Sequence, residues 1–234
     1  MKKLIIIPAY NEEANIERTV REIRRTAPDF DYVVIDDCST DSTLYLCRKN
    51  GFNVVHLSSN LGIGGAVQTG YKFAARYGYD MAVQVDGDGQ HDPSFLRQMA
   101  DHMEKNEADL VVGSRFLEKQ GFQSSKLRRF GISFFSGLIK MCTGVRLTDP
   151  TSGLRMAGRR AILLFAEDYP DDYPEPETLV TVLKHGLRVK EIPVEMRERG
   201  GGTSSITPAR SVYYMVKVTM AVLMASLRGA GKRR

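Results

Sequence analysis

Residues 81–92, MAVQVDGDGQHD, carry an apolar run that stops at two carboxylates, Asp86 and Asp88, one residue apart. The glycines beside them allow a tight turn and a close approach of the backbone to a ligand. Two neighbouring carboxylates repel each other and are costly to bury, so they are poor material for a core. They suit a hard divalent cation, which takes oxygen ligands. The other interpretation is a solvated turn, because Asp-Gly is common in turns.

This stretch belongs to a series of short β-type runs that alternate with helical patterns in the first half of the chain. The β-type runs cover residues 4–9, 32–37, 54–57, 81–86 and 109–114. The helical patterns between them cover residues 12–25, 40–49, 63–77 and 93–105. Strands that alternate with helices predict an α/β fold with parallel βαβ units and an open, doubly wound sheet.

Polar clusters follow three of these predicted strands. They are residues 8–12 (PAYNE), Asp36 with Asp37, and residues 86–88 (DGD). In open α/β sheets, ligands bind beyond the carboxyl ends of the strands. We therefore expect the three clusters to converge on one edge of the sheet.

The composition is that of an ordinary globular chain, with 42% hydrophobic and 26% charged residues among 234. Three scattered cysteines without a CxxC pair give no sign of zinc and indicate a reducing, cytosolic compartment. The first apolar run, residues 4–7, is too short for a signal peptide. The net charge of +5 is concentrated late in the chain, for example in the tail at 232–234. We interpret that tail as solvated and expect no nucleic-acid partner.

Several enzyme classes lack their motifs in this sequence. The patterns GxxxxGK[ST], GxSxG and HExxH are absent. Residues 62–67, GIGGAV, nearly fit the dinucleotide fingerprint GxGxxG from Gly62, but Val67 replaces its last glycine. The run also follows the third predicted strand rather than the first, so a dinucleotide site is weakly supported.

Two apolar-rich segments with basic flanks lie in the second half, at residues 127–142 and 211–227. The later one is slightly short for a bilayer span and carries Lys217 in its middle. We expect both to be amphipathic helices that lie on a membrane surface; the alternative is a helix packed in the core. The chain is accordingly divided into a main domain, residues 1–210, and a C-terminal docking helix with a basic tail, residues 211–234.

Five motifs, taken in order, resemble those of family 2 glycosyltransferases, and in particular the polyprenyl-phosphate and dolichyl-phosphate sugar transferases. They are residues 8–12 (PAYNE), 34–41 (VIDDCSTD), 86–88 (DGD), 113–115 (GSR) and 149–155 (DPTSGLR). The resemblance runs from residue 4 to residue 228. It implies a GT-A fold, which is a Rossmann-like, mixed but mostly parallel sheet with helices on both faces. It also implies a UDP- or GDP-sugar donor and a Mg²⁺ or Mn²⁺ ion.

The resemblance assigns the donor site to strand-end residues and to a late glycine-rich loop: Pro8, Tyr10, Glu12, Asp37, Gly62, Asp86, Arg197, Arg199 and Ser204. Among these, Asp37 is expected to bind the base edge. Asp86, Asp88 and Gln90 are the expected metal ligands beside the donor diphosphate. Arginine suits the late loop because its planar fork binds phosphate oxygens in pairs, although Ser205 stands where a lysine often follows the serine. The alternative for Arg197 and Arg199 is a solvated strand end.

The resemblance also implies an acceptor site and catalytic residues. Arg128, Arg129 and Arg155 are expected to face an acceptor phosphate, and Asp88, Arg115 and Asp149 are the expected catalytic residues. An ionised phosphate attacks without a strong base, whereas a sugar hydroxyl needs a carboxylate base. Asp149 is the first candidate for the base or for orienting the acceptor, with a turn-forming Asp-Pro as its alternative. Glu175 and Glu177 are second candidates, with capping of a helix N-terminus as theirs.

The expected function is that of an inverting, metal-dependent glycosyltransferase that moves a sugar onto a membrane-borne polyprenyl phosphate. One alternative is an enzyme that elongates a glycan at a hydroxyl, and another is an inactive module that binds nucleotide sugars. We expect peripheral association with the inner face of the cell membrane through the two amphipathic segments. A small integral membrane protein is a further expected partner.

Overall fold

A computed structural model describes residues 1–87, 89–118, 126–195 and 208–227. Four expected site residues lie outside the described residues: Asp88, Arg197, Arg199 and Ser204. The basic tail at 232–234 also lies outside them. For Arg128 the backbone is described and the side chain is not.

The described strands form one sheet in the order β3-β2-β1-β4-β6-β5-β7. The strands are β1 Lys3–Ala9, β2 Asp31–Asp36, β3 Val54–His56, β4 Met81–Gln84, β5 Leu110–Ser114, β6 Arg155–Gly158 and β7 Val189–Pro193. Strand β6 runs antiparallel to β4 and β5, and the other neighbours are parallel. The predicted mixed but mostly parallel sheet is confirmed.

Helices cover both faces of this sheet, as predicted. They are α1 Ile16–Thr26, α2 Thr43–Lys49, α3 Gly62–Arg76, α4 Leu96–Lys105, α5 Lys126–Thr143, α6 Arg159–Glu167, α7 Pro174–Lys184 and α8 Pro208–Leu227. A single 3-10 turn, Pro93–Phe95, leads into α4. Helices α1, α2 and α4 contribute to the core on one face, and α3, α5, α6, α7 and α8 to the core on the other.

The alternation of side chains along β1 shows why its sequence is apolar throughout. Leu4 and Ile6 enter one core, while Ile5 and Ile7 enter the other, and none is more than 1% exposed. A parallel strand that is buried on both faces carries a continuous apolar run rather than an alternating one.

Strand β6 and helix α6 were not predicted from the sequence. Arg155–Gly158 continues directly into Arg159–Glu167, with Gly158 as the last residue of the strand and the N-cap of the helix. Because β6 is antiparallel, its first residues lie at the edge where its neighbours end: Arg155 pairs with Val112 and Met156 with Val83. This reversal brings the 149–155 motif to the same edge as the three polar clusters.

The two late helices were predicted, and each has a buried and an exposed side. Helix α8 begins at Pro208, ahead of the expected boundary at 211, and buries Val218, Val222 and Ala225 in the core. Among the described residues, no helix is both long and apolar enough to cross a membrane.

Candidate active site

The loops after β1 and β4 touch at Gly87. A Cβ atom built on Gly87 would lie 3.2 Å from the Pro8 carbonyl oxygen and 3.5 Å from Cγ of Glu12. The Thr19 hydroxyl donates a hydrogen bond to the Gly87 carbonyl oxygen at 3.0 Å. Any larger residue at position 87 would press on the β1 loop, so the glycine of the acidic turn is required by this close approach.

The loops after β1 and β2 are held together through Asn11, which lies in the left-handed region with φ of 55°. Its Oδ1 atom accepts from the Thr40 backbone N–H at 2.8 Å, and its own N–H donates to Ser39 Oγ at 3.0 Å. The preceding residue, Tyr10, is 48% exposed. The Tyr10 ring therefore lies open on a fixed loop, and its contact with the donor base stays a prediction.

Asp37 fixes the start of helix α3. Its Oδ1 atom accepts from the Leu61 N–H at 2.7 Å, and its carbonyl oxygen accepts from the Asn60 side chain at 3.2 Å. Gly62, with φ of +76°, donates its N–H to Asn60 Oδ1 at 3.1 Å. Asp37 and Gly62 thus lie in one hydrogen-bonded loop at the expected edge, and their donor contacts stay predictions.

Asp36, the other carboxylate of that cluster, points into the protein. It is fully buried, with Oδ2 2.6 Å from His56 Nδ1, and Oδ1 has no hydrogen-bond partner in the part of the chain that the structure describes. A buried carboxylate oxygen without a donor is costly, so the two adjacent aspartates differ sharply in environment.

Asp86 is oriented by two buried side chains that the sequence did not single out as site residues. Gln84 Nε2 donates to Asp86 Oδ1 at 2.9 Å, and the Asp86 backbone N–H donates to His91 Nδ1 at 3.1 Å. Because Nδ1 accepts, the neutral ring carries its proton on Nε2, which lies 3.7 Å from Asp86 Oδ2. The only sequence signal for Gln84 was a polar residue inside an apolar strand.

The surroundings of Asp86 fit a divalent cation that is shared with a ligand. Its side chain is 33% exposed, and Gln90 is half-buried on the same turn. A Cβ atom at Gly153 would lie 3.6 Å from Asp86 Oδ2, so this glycine keeps the approach open. No cluster of three His, Cys, Asp or Glu residues forms among the described residues. Mg²⁺ and Mn²⁺ need few protein ligands when waters and phosphate oxygens complete the shell.

Asp149 and Arg115 form a buried ion pair rather than an open catalytic pair. Arg115 Nε and Nη2 each lie 2.7 Å from an oxygen of Asp149, and the Arg115 backbone N–H donates to it at 3.2 Å. Asp149 has no exposed surface and Arg115 is 7% exposed. Both oxygens are paired with Arg115, and the expected role of Asp149 as the base or in orienting the acceptor stays a prediction. Arg115 likewise contacts the protein and holds the 149–155 motif in place.

Glu191 on β7 supports the same motif and was missed by sequence reasoning. Its carboxylate accepts from the backbone N–H groups of Thr148 and Asp149 at 2.7 and 2.9 Å. Burial raises the pKa of Glu191, and these hydrogen bonds act in the opposite direction. The start of the motif is therefore rigid before any ligand binds.

Arg155 is also bound within the protein. It is 3% exposed and donates to the carbonyl oxygens of Pro150, Ser152 and Glu175 at 2.6 to 2.8 Å. It also donates to Thr178 Oγ1 at 2.8 Å. Burial lowers the pKa of this guanidinium. These donors all bind the protein interior, and the expected contact of Arg155 with an acceptor phosphate stays a prediction; Arg129, in contrast, is exposed on α5.

Glu175 is a carboxyl group whose pKa is affected by the charge of Asp86. It lies half-buried in the first turn of α7, after Tyr173, whose left-handed backbone has φ of 51° and ψ of 53°. Burial raises the pKa of Glu175, the Arg155 guanidinium opposes that rise, and the Asp86 carboxylate adds to it. Of the candidates for a base, Glu175 is thus the one whose carboxyl group is coupled to the acidic turn.

Known proteins are similar to this chain in sequence and in fold. Residues 4–163 match the profile described as Glycosyl transferase family 2. An undecaprenyl-phosphate mannosyltransferase of Micrococcus luteus is 30% identical, covering 100% of this chain and 99% of that protein. A polyprenol monophosphomannose synthase of Mycolicibacterium smegmatis is 30% identical, covering 93% of this chain and 85% of that protein. A UDP-N-acetylglucosamine–dolichyl-phosphate N-acetylglucosaminyltransferase of Methanococcus voltae is also 30% identical, covering 82% and 84%.

The fold has solved counterparts. Glucosyl-3-phosphoglycerate synthase of Mycobacterium tuberculosis, crystallised with Mn²⁺ and UDP, superposes with a TM-score of 0.71 at 20% identity. The match covers 99% of this chain and 81% of that one. At this identity the likeness shows the fold, and the family rests on the profile, which covers more than half of the chain, and on the full-length relatives. The chain belongs to glycosyl transferase family 2 and is a glycosyltransferase.

Proposed function

We propose that this enzyme transfers a sugar from a nucleoside diphosphate sugar to a polyprenyl phosphate in a membrane. The observation that carries the proposal is the near full-length similarity to relatives named for polyprenyl, undecaprenyl and dolichyl phosphates. Those names agree on the acceptor class and differ in the sugar, which is mannose in two and N-acetylglucosamine in one. The acceptor class is therefore proposed, and the sugar is left open.

The donor side of the proposal rests on the loops that meet at Gly87. Asp86, held by Gln84, and Gln90 would hold a Mg²⁺ or Mn²⁺ ion together with Asp88, which lies outside the described residues. The metal would stabilise the negative charge that develops on the departing nucleoside diphosphate. Solved neighbours that bind Mn²⁺ or Mg²⁺ with UDP support this assignment.

The acceptor chemistry needs no buried base. Near neutral pH a phosphate monoester is mostly doubly ionised, so its oxygen is already a nucleophile. A new bond forms between that oxygen and the anomeric carbon, while the bond from that carbon to the diphosphate breaks on the opposite side and the configuration inverts. No proton changes place in this step, which agrees with Asp149 being paired with Arg115. Arg129 and Arg128 are the proposed phosphate contacts.

A second candidate function, transfer to a sugar hydroxyl, is favoured by one observation. A hydroxyl must lose a proton as it attacks, and Glu175 has a pKa raised by burial and by Asp86, which suits a general base. The substitution Glu175→Gln separates the two. With a phosphate acceptor the variant keeps a rate within about tenfold, whereas with a hydroxyl acceptor it loses about 100-fold or more.

Membrane docking is proposed for the outer faces of α5 and α8, which we call the docking face. Phe130, Phe134 and Met141 are exposed on α5, and α8 carries an exposed stripe at Tyr213, Val216, Met220, Met224 and Leu227. The helices touch through Phe135 and Tyr214, whose ring centroids are 5.7 Å apart. We assign this face to an anionic bilayer surface because α5 also carries the exposed Lys140 and because the proposed acceptor is a lipid.

We propose that the enzyme is a peripheral protein on the cytoplasmic side of the membrane. A small integral membrane protein as an additional partner stays a prediction.

The proposed function is tested by donor binding followed by product analysis. Thermal midpoints are measured with UDP-, GDP-, dTDP- and CMP-sugars, each with and without Mn²⁺, because a ligand that binds the folded state raises the midpoint in a concentration-dependent way. The stabilising donor is then incubated with vesicles that carry a polyprenyl phosphate. We expect Mn²⁺-dependent stabilisation and a lipid-linked sugar that mild acid releases. No stabilisation by any donor, or a product that resists mild acid, would contradict the proposal.

A further inference from the structure

Among its contacts with the main domain, helix α8 reaches one short segment, residues 170–173, with two side chains. The ring of Tyr214 lies 4.8 Å from the ring of Tyr173 at an interplanar angle of 81°. Lys217 Nζ lies 2.5 Å from Asp172 Oδ2. Tyr214 and Lys217 are three residues apart, so they project from the same side of the helix. Lys217 also borders the exposed stripe, since its Nζ lies 5.7 Å from the centroid of the Tyr213 ring, whereas Tyr214 is half-buried.

The backbone of the same segment holds the N-terminus of α3. The Gly64 N–H donates to the Asp171 carbonyl oxygen at 3.0 Å. A Cβ atom at Gly64 would lie 2.0 Å from the Pro170 carbonyl oxygen, so the two backbones are in direct contact. Helix α3 begins in the loop whose Leu61 N–H binds Asp37. A shift of segment 170–173 therefore reaches the loop around Asp37.

The segment also leads directly into Glu175. Tyr173 is held in a left-handed conformation, which costs a residue other than glycine about 1–3 kcal/mol and persists only where its surroundings enforce it. Those surroundings are the Tyr214 ring on one side and the bond from Arg155 to the Glu175 carbonyl oxygen on the other. The position of Glu175, whose carboxyl is coupled to Asp86, is thus tied to the position of α8.

We propose that segment 170–173 couples the docking face to the donor site, with Tyr214 and Lys217 as its positioning residues. The inference rests on the proposed function, since binding of α8 to a lipid surface is part of it. Lipid binding that fixes α8 also fixes the start of α3 and the first turn of α7, and the donor site is then better formed for its nucleotide. Coupling between two binding sites is reciprocal, so a bound nucleotide must strengthen lipid binding by the same factor.

The test measures that factor by binding alone. Affinity for phosphatidylglycerol–phosphatidylcholine vesicles without polyprenyl phosphate is determined with and without saturating UDP or GDP, each with Mn²⁺. For the wild type we expect vesicle affinity to rise about fivefold or more with the nucleotide that binds. Tyr214→Ala and Lys217→Ala each lose the enhancement while still binding both ligands. Tyr214→Phe, which keeps the ring contacts, and Lys217→Arg, which keeps the ion pair, retain it.

Met220→Ala is the matched control on the exposed side of the same helix. It weakens vesicle affinity with and without nucleotide by the same factor, so the enhancement is unchanged. Lys217 is 37% exposed, so its alanine variant keeps the test valid if Tyr214→Ala does not fold. A wild type that binds nucleotide and vesicles with no enhancement would overturn the coupling alone. A wild type that binds neither would overturn the proposed function as well.

Discussion

Charged side chains are usually exposed and apolar side chains buried. The strand-end site departs from the first of these tendencies, and the docking face departs from the second. At the site, charged side chains are buried: Asp149 has no exposed surface and Arg155 is 3% exposed. On the docking face, apolar side chains are exposed: Met220 is 55% and Leu227 is 85% exposed. Buried charges are tolerated only with complete partners, and an extended apolar surface calls for something to cover it. The buried charges thus hold the strand-end site in one arrangement, and the exposed apolar side chains favour association of the docking face with another surface.

The largest expected effect is a loss of stability when a buried charge of the strand-end site loses its partner. Arg115→Ala leaves the carboxylate of Asp149 buried without its partner, which costs about 3–5 kcal/mol in the free energy of unfolding. Urea unfolding monitored by circular dichroism measures the change. The control is Arg188→Ala, which removes the exposed pair with Glu107 and changes stability by about 0–1 kcal/mol. Equal losses in the two variants would contradict the importance of burial.

Two valines on α8 allow the buried and the exposed side of one helix to be compared. Val222 is fully buried and Val216 is 61% exposed. Val222→Ala is expected to lower the free energy of unfolding by about 1.5–3 kcal/mol, and Val216→Ala to change it by less than about 0.5 kcal/mol. Vesicle affinity is expected to follow the reverse order, falling for Val216→Ala and not for Val222→Ala. Identical vesicle affinities for the two variants would argue against the docking face.

Gln84 tests how strongly a buried side chain controls the acidic turn. Gln84→Leu keeps the size of the side chain and removes the hydrogen bond to Asp86. Loss of a residue that orients a metal ligand typically weakens the metal by about 10–100-fold. A Mn²⁺ titration in the presence of the preferred nucleotide measures the loss. Gln68→Leu, on α3 beside Lys72, is the control and is expected to leave Mn²⁺ affinity unchanged.

The smallest expected effect is a gain in the stability of the Glu175→Gln variant over the wild type at high pH. The pKa of Glu175 is raised from its usual 4.5 chiefly by burial, so the fold favours its protonated form. Its contribution to stability is complete below 4.5 and is lost as the pH rises through the pKa of the folded state. Glu175→Gln cannot ionise, so its thermal midpoint should exceed that of the wild type at about pH 8 and approach it at about pH 4. A gap that does not change with pH would contradict the shift.

Local pattern was sufficient for much of the fold. The apolar run of β1, the alternation with helices and the polar strand ends predict the α/β class, the sheet edge and, through the motifs they carry, the family. Strand β6 was not predicted because Arg155–Gly158 is short and begins with a charged residue, and its burial depends on insertion between β4 and β5. That insertion is a long-range pairing, which a local sequence window does not contain.

The sequence predicts which residues lie at the sheet edge, but it predicts less well which of them are buried and what they contact. Asp149 and Arg155 looked like open site residues because charged side chains are usually exposed. Their burial follows from partners distant in sequence: Arg115 for the first, and Glu175 and Thr178 for the second. Gln84 and His91 were overlooked because a single polar residue in an apolar context gives no pattern until Asp86 is seen beside both.

The central claim is that the acceptor is a phosphate. The most direct test compares two acceptors in identical vesicles, a polyprenyl phosphate and the polyprenol of the same chain length, with the donor and metal that stabilise the wild-type enzyme. The two lipids present the same chain to the docking face and differ only in the attacking group. The account predicts transfer to the phosphate and none to the alcohol. Equal transfer to both, or transfer to the alcohol alone, would contradict it.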